Sequence, residues 1–223
     1  ADMPLPKQTQ LEEHPNHPAV KILRESKNYR DMWDKDALRV IAASYYALIS
    51  MVDEKIGHLL EAVDRQGITD RTRLIYTSDH GECLGAHGLF GKSCLYEEAI
   101  GVPLVMSGPD IPKGKTVDVP VSHVDLYPTL VAAGGGTLTE EDDDLLGRSL
   151  FETFSENPES RPVFAEYHGT GSESGCFMLR DKNMKLIYHV GMQPQVFDLE
   201  ADPFEQNDLT EKADSLNDLE QRL

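Results

Sequence analysis

Between Thr77 and Lys92 the chain reads TSDHGECLGAHGLFGK, and no other stretch of its 223 residues concentrates Asp, His, Glu, Gly and Lys in the same way. An ionised carboxylate at Asp79 beside a neutral imidazole at His80 offers a divalent cation one hard oxygen and one nitrogen. Adjacent residues of a strand point to opposite faces, so the two reach one ion only where the backbone leaves strand geometry, and Gly81 makes such a turn inexpensive. On spacing alone the pair is equally compatible with a surface Asp and an ordinary histidine.

Those residues need a frame that presents them together. Leu74, Ile75, Tyr76 and Thr77 form a short β-prone run, and the polar residues emerge at its C-terminal end. In open α/β sheets that edge faces the crevice where ligands bind. Upstream, apolar residues from Leu38 to Val63 recur at steps of three and four, which predicts a long amphipathic helix from Ala37. Asp34 is placed to cap its start and Gly67 to end it. Downstream lies a second apolar run, Val102 to Met106, and then a helix from Asp125 to Ala133, stopped by Gly134, Gly135 and Gly136. Asp125 is assigned to capping and His123 to a structural role.

Three segments are expected. Residues 1–33, broken by Pro4, Pro6, Pro15 and Pro18, read as an extended connector. Residues 34–146 read as an α/β unit carrying the metal-site loop. Residues 147–223 read as a small antiparallel subdomain with strands Val163–Tyr167, Cys176–Leu179, Lys185–His189 and Gln195–Leu199, and a charged helix from Glu211.

With 39 acidic against 21 basic residues, the formal charge is −18, which argues against a polyanion such as nucleic acid as partner. No run approaches the ~18 apolar residues of a membrane span. The start at Ala1, polar and Pro-rich, resembles no export signal and suits an excised piece. The acidic cluster Glu140 to Asp144 reads as solvated surface. Cys83, Cys94 and Cys176 form no CxxC pair and read as free thiols. Nothing in the residues assigns a compartment.

Five blocks in order, YYALISMVDEKIGHLL, TSDHGE, LGAHGLFGK, LYEEAIGVPLVM and VSHVDLYPTL, cover Tyr45 to Leu130. Together they resemble the sulfatase family of the alkaline phosphatase superfamily, in the branch holding iduronate-type sulfatases and phosphonate monoester hydrolases. Glu166–Tyr167 and VFDLEADPFEQNDL resemble that family's C-terminal subdomain. The resemblance implies an α/β fold, the distal part of an α/β/α sandwich with a small antiparallel α+β subdomain. It implies a divalent metal, Ca²⁺ first with Mn²⁺ or Mg²⁺ as alternatives, ligated by Asp79 and His80. By it, Lys92 contacts a non-bridging oxygen of the sulfate or phosphonate group, a role that a compact ammonium suits. His87, in the GxHG turn, is either an acid facing the leaving group or a turn-stabilising histidine.

The family's formylglycine nucleophile and remaining metal carboxylates belong to an N-terminal half. None of the three cysteines is followed by the x-Pro/Ala-x-Arg pattern of the modified residue, and Gly101 stands where relatives often carry Arg. The implied activity is therefore metal-dependent hydrolysis of a small-molecule or saccharide sulfate ester by a parent carrying both halves, with residues 1–223 inactive alone. Hydrolysis of phosphonate monoesters or phosphodiesters, and a non-catalytic module, are the alternatives. The expected partners are the N-terminal half and, through apolar surface left uncovered, a second copy.

Overall fold

A proline that breaks a helix interior is well suited to a helix's first turn, where its missing N–H has no partner to lose. In the computed structural model, which describes residues 4–7, 14–27 and 34–211, Pro18 opens helix α1 (Pro18–Lys27). Val20 and Leu23 are buried on one side of it. The extended reading of residues 1–33 is corrected there. Three prolines precede the helix, the fourth starts it, and none lies inside.

Helix α2 (Lys35–Arg65) has the limits its caps dictate. The Asp34 carboxylate accepts hydrogen bonds from the N–H groups of Asp36 and Ala37 at 2.9 and 3.0 Å, and Gly67 adopts φ 64° just past the end. Of its apolar residues only Leu38 and Ala42 are buried, while Val40, Leu48, Met51 and Leu59 are at least half exposed. No helix among the described residues is long and apolar enough to cross a membrane.

Strand β1 (Leu74–Thr77) leads into the site turn, which runs through a 3-10 turn at Ala86–Gly88 to the short helix α3 (Glu97–Ile100). Strand β2 (Leu104–Ser107) returns beside β1 antiparallel, with Leu74 opposite Ser107 and Thr77 opposite Leu104. The two therefore form a ribbon, not the parallel neighbours of an open sheet. Helix α4 (Leu126–Ala133) follows, one residue inside the predicted start, because Ser122 and Asp125 build a capping box around the turn before it.

Strands β3 (Val163–Tyr167), β4 (Cys176–Asp181), β5 (Met184–His189) and β6 (Gln195–Asp198) form an antiparallel meander in sequence order. The helix expected from Glu211 onward falls on residues 212–223, outside those described. One hydrophobic cluster joins Val20 and Leu23 of α1 to Cys83, Leu89, Leu95, Tyr96 and Ala99 of the site turn and α3, and to Cys176, Met178, Ile187 and Phe197 of the sheet. It crosses residue 147, so the site turn is packed directly against the four-stranded sheet.

Candidate active site

The chain leaves strand geometry as soon as β1 ends. Ser78 Oγ donates to the His80 carbonyl oxygen at 2.8 Å, and Asp79 Oδ1 accepts from the His80 N–H at 3.0 Å, folding two adjacent side chains toward one side. Gly81 is needed for a different reason from the one its flexibility suggests. Its φ lies outside the left-handed region, but a Cβ there would overlap the Glu98 carbonyl oxygen, and its N–H donates to Ala99 O at 2.7 Å. Close approach of α3 excludes any side chain.

The result is convergence. Asp79 Oδ2 lies 3.4 Å from His80 Nε2, and Lys92 Nζ lies 2.6 Å from the same nitrogen. His80 Nδ1 sits 2.8 Å from Gly81 O, and since a carbonyl can only accept, Nδ1 donates there and Nε2 is the ring nitrogen directed to Asp79 and Lys92. Desolvation acts to raise the Asp79 pKa, but the hydrogen bond from the His80 N–H and the nearby Lys92 ammonium outweigh it and hold the carboxyl below its usual range. One oxygen and one nitrogen thus face a cation's position, into which the Lys92 ammonium already leans. The donor set fits a divalent metal, and its two ligands leave the coordination sphere open.

Lys92 reaches that point because its loop is clamped. Glu82 Oε1 accepts from the N–H groups of Leu84 and Gly91 at 3.0 and 2.6 Å, and the Cys83 N–H donates to Gly91 O at 2.9 Å. Leu84 and His87 take positive φ values of 51° and 55°, as do Gly85, Gly88 and Gly91. No role was assigned to Glu82 from sequence. Its signal is a carboxylate at the mouth of a glycine-rich turn full of backbone donors.

His87 does not join the three. Its ring is buried, stacked on Tyr96 at 3.9 Å between centroids, with Nε2 3.1 Å from Glu98 Oε2. Arg24 of α1 donates to the His87 carbonyl at 3.4 Å and to Pro15 O at 2.9 Å, so the N-terminal helix braces the turn.

Asp79, His80 and Lys92 open onto a cleft of about 670 Å³, lined opposite them by the Val117–His123 segment and by Phe164, Glu166 and Tyr167 of β3. His123, expected to be structural, is exposed there. Asp125 caps as expected. It is buried, accepts from the Ser122 and Arg148 N–H groups at 2.9 Å each, and pairs with Arg161. A Cβ at Gly101 would lie 2.7 Å from Glu97 O, so no side chain fits there without a backbone shift.

A second group of donors lies behind α3. Atoms of His87, Glu98 and Glu205 fall within 4.8 Å of one another, the one such group of three or more found among the described residues. It already contains its own cation. Lys185, fully buried, places Nζ 2.7 Å from Glu205 Oε1 and 2.9 Å from Glu97 Oε1, while Arg180 lies 3.3 Å from Glu97 Oε2. Burial still pushes the Glu205 carboxyl up, whereas at Glu98 the His87 contact overcomes burial and pulls it down. Lys185 thus places a buried cation between the Glu97 and Glu205 carboxylates, beside this group of donors.

The chain belongs to the sulfatase family, which matches residues 9–136, and the C-terminal family described as N-sulphoglucosamine sulphohydrolase matches residues 85–223. Arylsulfatase K of Homo sapiens is 32% identical over 98% of the chain and 42% of its own length, and choline-sulfatase of Rhizobium meliloti (strain 1021) is 33% identical over 90% and 38%. A structure solved with its substrate D-glucosamine-2-N,6-O-disulfate superposes with a TM-score of 0.70, 30% identity, and coverage of 78% of this chain and 38% of its own. Phosphonate monoester hydrolase of Agrobacterium radiobacter superposes at 0.72, with 28% identity and coverage of 85% and 41%. The chain spans about two fifths of the length of the curated relatives it matches.

Proposed function

We propose that the protein carrying this chain hydrolyses a sulfate ester of a small molecule or saccharide in the cleft beside β1. The observation that carries the reading is the meeting of Asp79 Oδ2 and Lys92 Nζ at His80 Nε2. A divalent cation held by Asp79 and His80, Ca²⁺ first, would supply Lewis-acid polarisation of the sulfuryl oxygens. Asp79 stays ionised, and the contact of His80 Nδ1 with Gly81 O leaves Nε2 as the ring nitrogen that faces the cleft. Lys92 has the reach and charge to bind a non-bridging oxygen and stabilise it as charge grows on the leaving ester oxygen. His87, held in the bracing of the turn, acts in this reading as a positioning residue for Lys92 and not as the leaving-group acid.

No nucleophile is assigned among these residues. A formylglycine contributed by the remainder of the parent completes the reading, and residues 1–223 alone are then inactive, because one electrostatic contact, worth about a hundred- to thousandfold in rate, does not replace covalent attack. The sulfate-ester reading is supported by the names of the curated relatives and by the disulfated glucosamine bound to one structural neighbour. Likeness to a phosphonate monoester hydrolase favours a second reading with the same parts.

The test is turnover of matched chromogenic aryl sulfate and aryl phosphonate esters by the full-length parent. A preference for sulfate is expected, with Asp79→Asn or Lys92→Ala lowering turnover at least about a hundredfold while the fold is kept. Unchanged turnover in both variants would remove the site assignment. Preference for the phosphonate would install the second reading.

A further inference from the structure

The loop that delivers Lys92 is closed at its base by two thiols. Cys83 Sγ and Cys94 Sγ lie 3.5 Å apart, and the backbone beneath them is already drawn together by the Cys83 N–H bond to Gly91 O. A disulfide needs the sulfurs at about 2.05 Å, so an approach of roughly 1.5 Å separates the pair from a covalent bond. We propose that Cys83 and Cys94 are a modification site, oxidised by a peroxide to a reversible disulfide that staples the turn carrying His87 and Lys92.

The two cysteines have unequal access, and this sets the order of events. Cys94 is half-buried and lines the cleft, where a small oxidant can reach it. Cys83 is buried, and the neighbouring Cys94 sulfur together with burial pushes its thiol well above the ordinary value, which makes it a poor first target. The Cys94 thiolate attacks one peroxide oxygen, giving a sulfenic acid and releasing hydroxide. Cys83 sulfur then attacks the sulfenic sulfur, the S–O bond breaks, and the oxygen leaves as water with the Cys83 proton. Overall two thiols and one hydrogen peroxide give one disulfide and two waters, and a dithiol reductant reverses the bond. Cys176 belongs to the same hydrophobic cluster, but its thiol is buried and held at about 12, so it stays reduced.

This chemistry does not depend on the sulfate-ester reading, and its readout is mass, not turnover. The full chain, treated with hydrogen peroxide, unfolded in iodoacetamide and digested without reductant, is expected to yield a peptide linking Cys83 to Cys94, short of two hydrogens. Cys176 should appear alkylated, and prior dithiothreitol should abolish the link. Cys83→Ser should remove the cross-link and send Cys94 on to sulfinic acid. Should that variant fail to fold, the wild-type peptide map decides alone. A Cys94–Cys176 link, sulfinic Cys94 beside alkylated Cys83 in the wild type, or three alkylated cysteines after peroxide would each overturn the proposal.

Discussion

Two charged clusters flank α3, and they differ in what they leave open. Behind the helix, Lys185 sits among Glu97, Glu205 and the His87–Glu98 pair, out of water and fully partnered. In front, Asp79 is mostly exposed, His80 half-buried, and Nε2 faces the cleft with Asp79 Oδ2 at 3.4 Å and the exposed Lys92 Nζ at 2.6 Å. The rear group has more carboxylates, but they already hold a buried ammonium. Displacing an ammonium buried between carboxylates leaves those carboxylates buried and unpaired, whereas displacing an exposed one does not. The proposed cation site is therefore the front cluster, whose ammonium is exposed.

The largest effect expected from this contrast is on stability. Lys185→Met removes the buried cation from the rear cluster, leaving Glu205 without one and Glu97 with Arg180 alone, so unfolding in urea should lose about 3 to 5 kcal/mol. Lys92→Met, the matching change in front, should leave the urea midpoint nearly unmoved. Equal losses would erase the distinction.

Acid should act on the buried side next. Burial first, then the neighbouring His17, holds the His189 ring neutral down to about 4, against 6.5 for a free histidine. Between those values the unfolded chain takes up a proton that the folded chain refuses, so stability falls as pH falls from 6.5 towards 4, by up to about 3 kcal/mol. Thermal unfolding of His189→Gln across this window should show a flatter pH dependence.

A smaller change tests the clamp that serves the open site. Glu82→Ala leaves the Leu84 and Gly91 N–H groups without their acceptor and should cost about 1 to 3 kcal/mol. It should also loosen Lys92, read as faster amide exchange through residues 84–91. Smallest of all is the effect of metal. With two protein ligands binding is weak, and Ca²⁺ or Mn²⁺ in tenfold excess over its Kd should raise Tm by roughly 2 to 4 °C. Asp79→Asn should abolish that rise and Glu98→Gln should preserve it. The opposite pattern would move the metal behind α3.

The sequence discloses features whose causes are local. The limits of α2 follow from Asp34 and Gly67, and each strand of the meander carries its own apolar run, so all four lie within two residues of expectation. The meeting of Asp79, His80 and Lys92 was legible only through the order of five motif blocks. What escaped depends on distant partners. Lys185 lies in a run where residues 185, 186 and 187 are all buried, and nothing in that run announces that its counterions come from Glu97 and Glu205. The antiparallel return of β2, the bracing of the His87 turn by Arg24, and the Glu82 clamp are likewise products of assembly. Gly81 shows the same limit within one residue: the sequence suggested glycine for its flexibility in the turn, but the structure requires it because α3 leaves no room for a Cβ.

That contact at Gly81 has a consequence for how the protein tolerates change. Asp79 and His80 project into solvent, so most replacements there should spare folding and be felt only in function. Position 81 is keyed against the Glu98 carbonyl, so even one methyl group must pry the turn from the helix. In a survey of all single substitutions scored for abundance, the chemically bland glycine would stand out as the intolerant position, and its reactive neighbours would look dispensable.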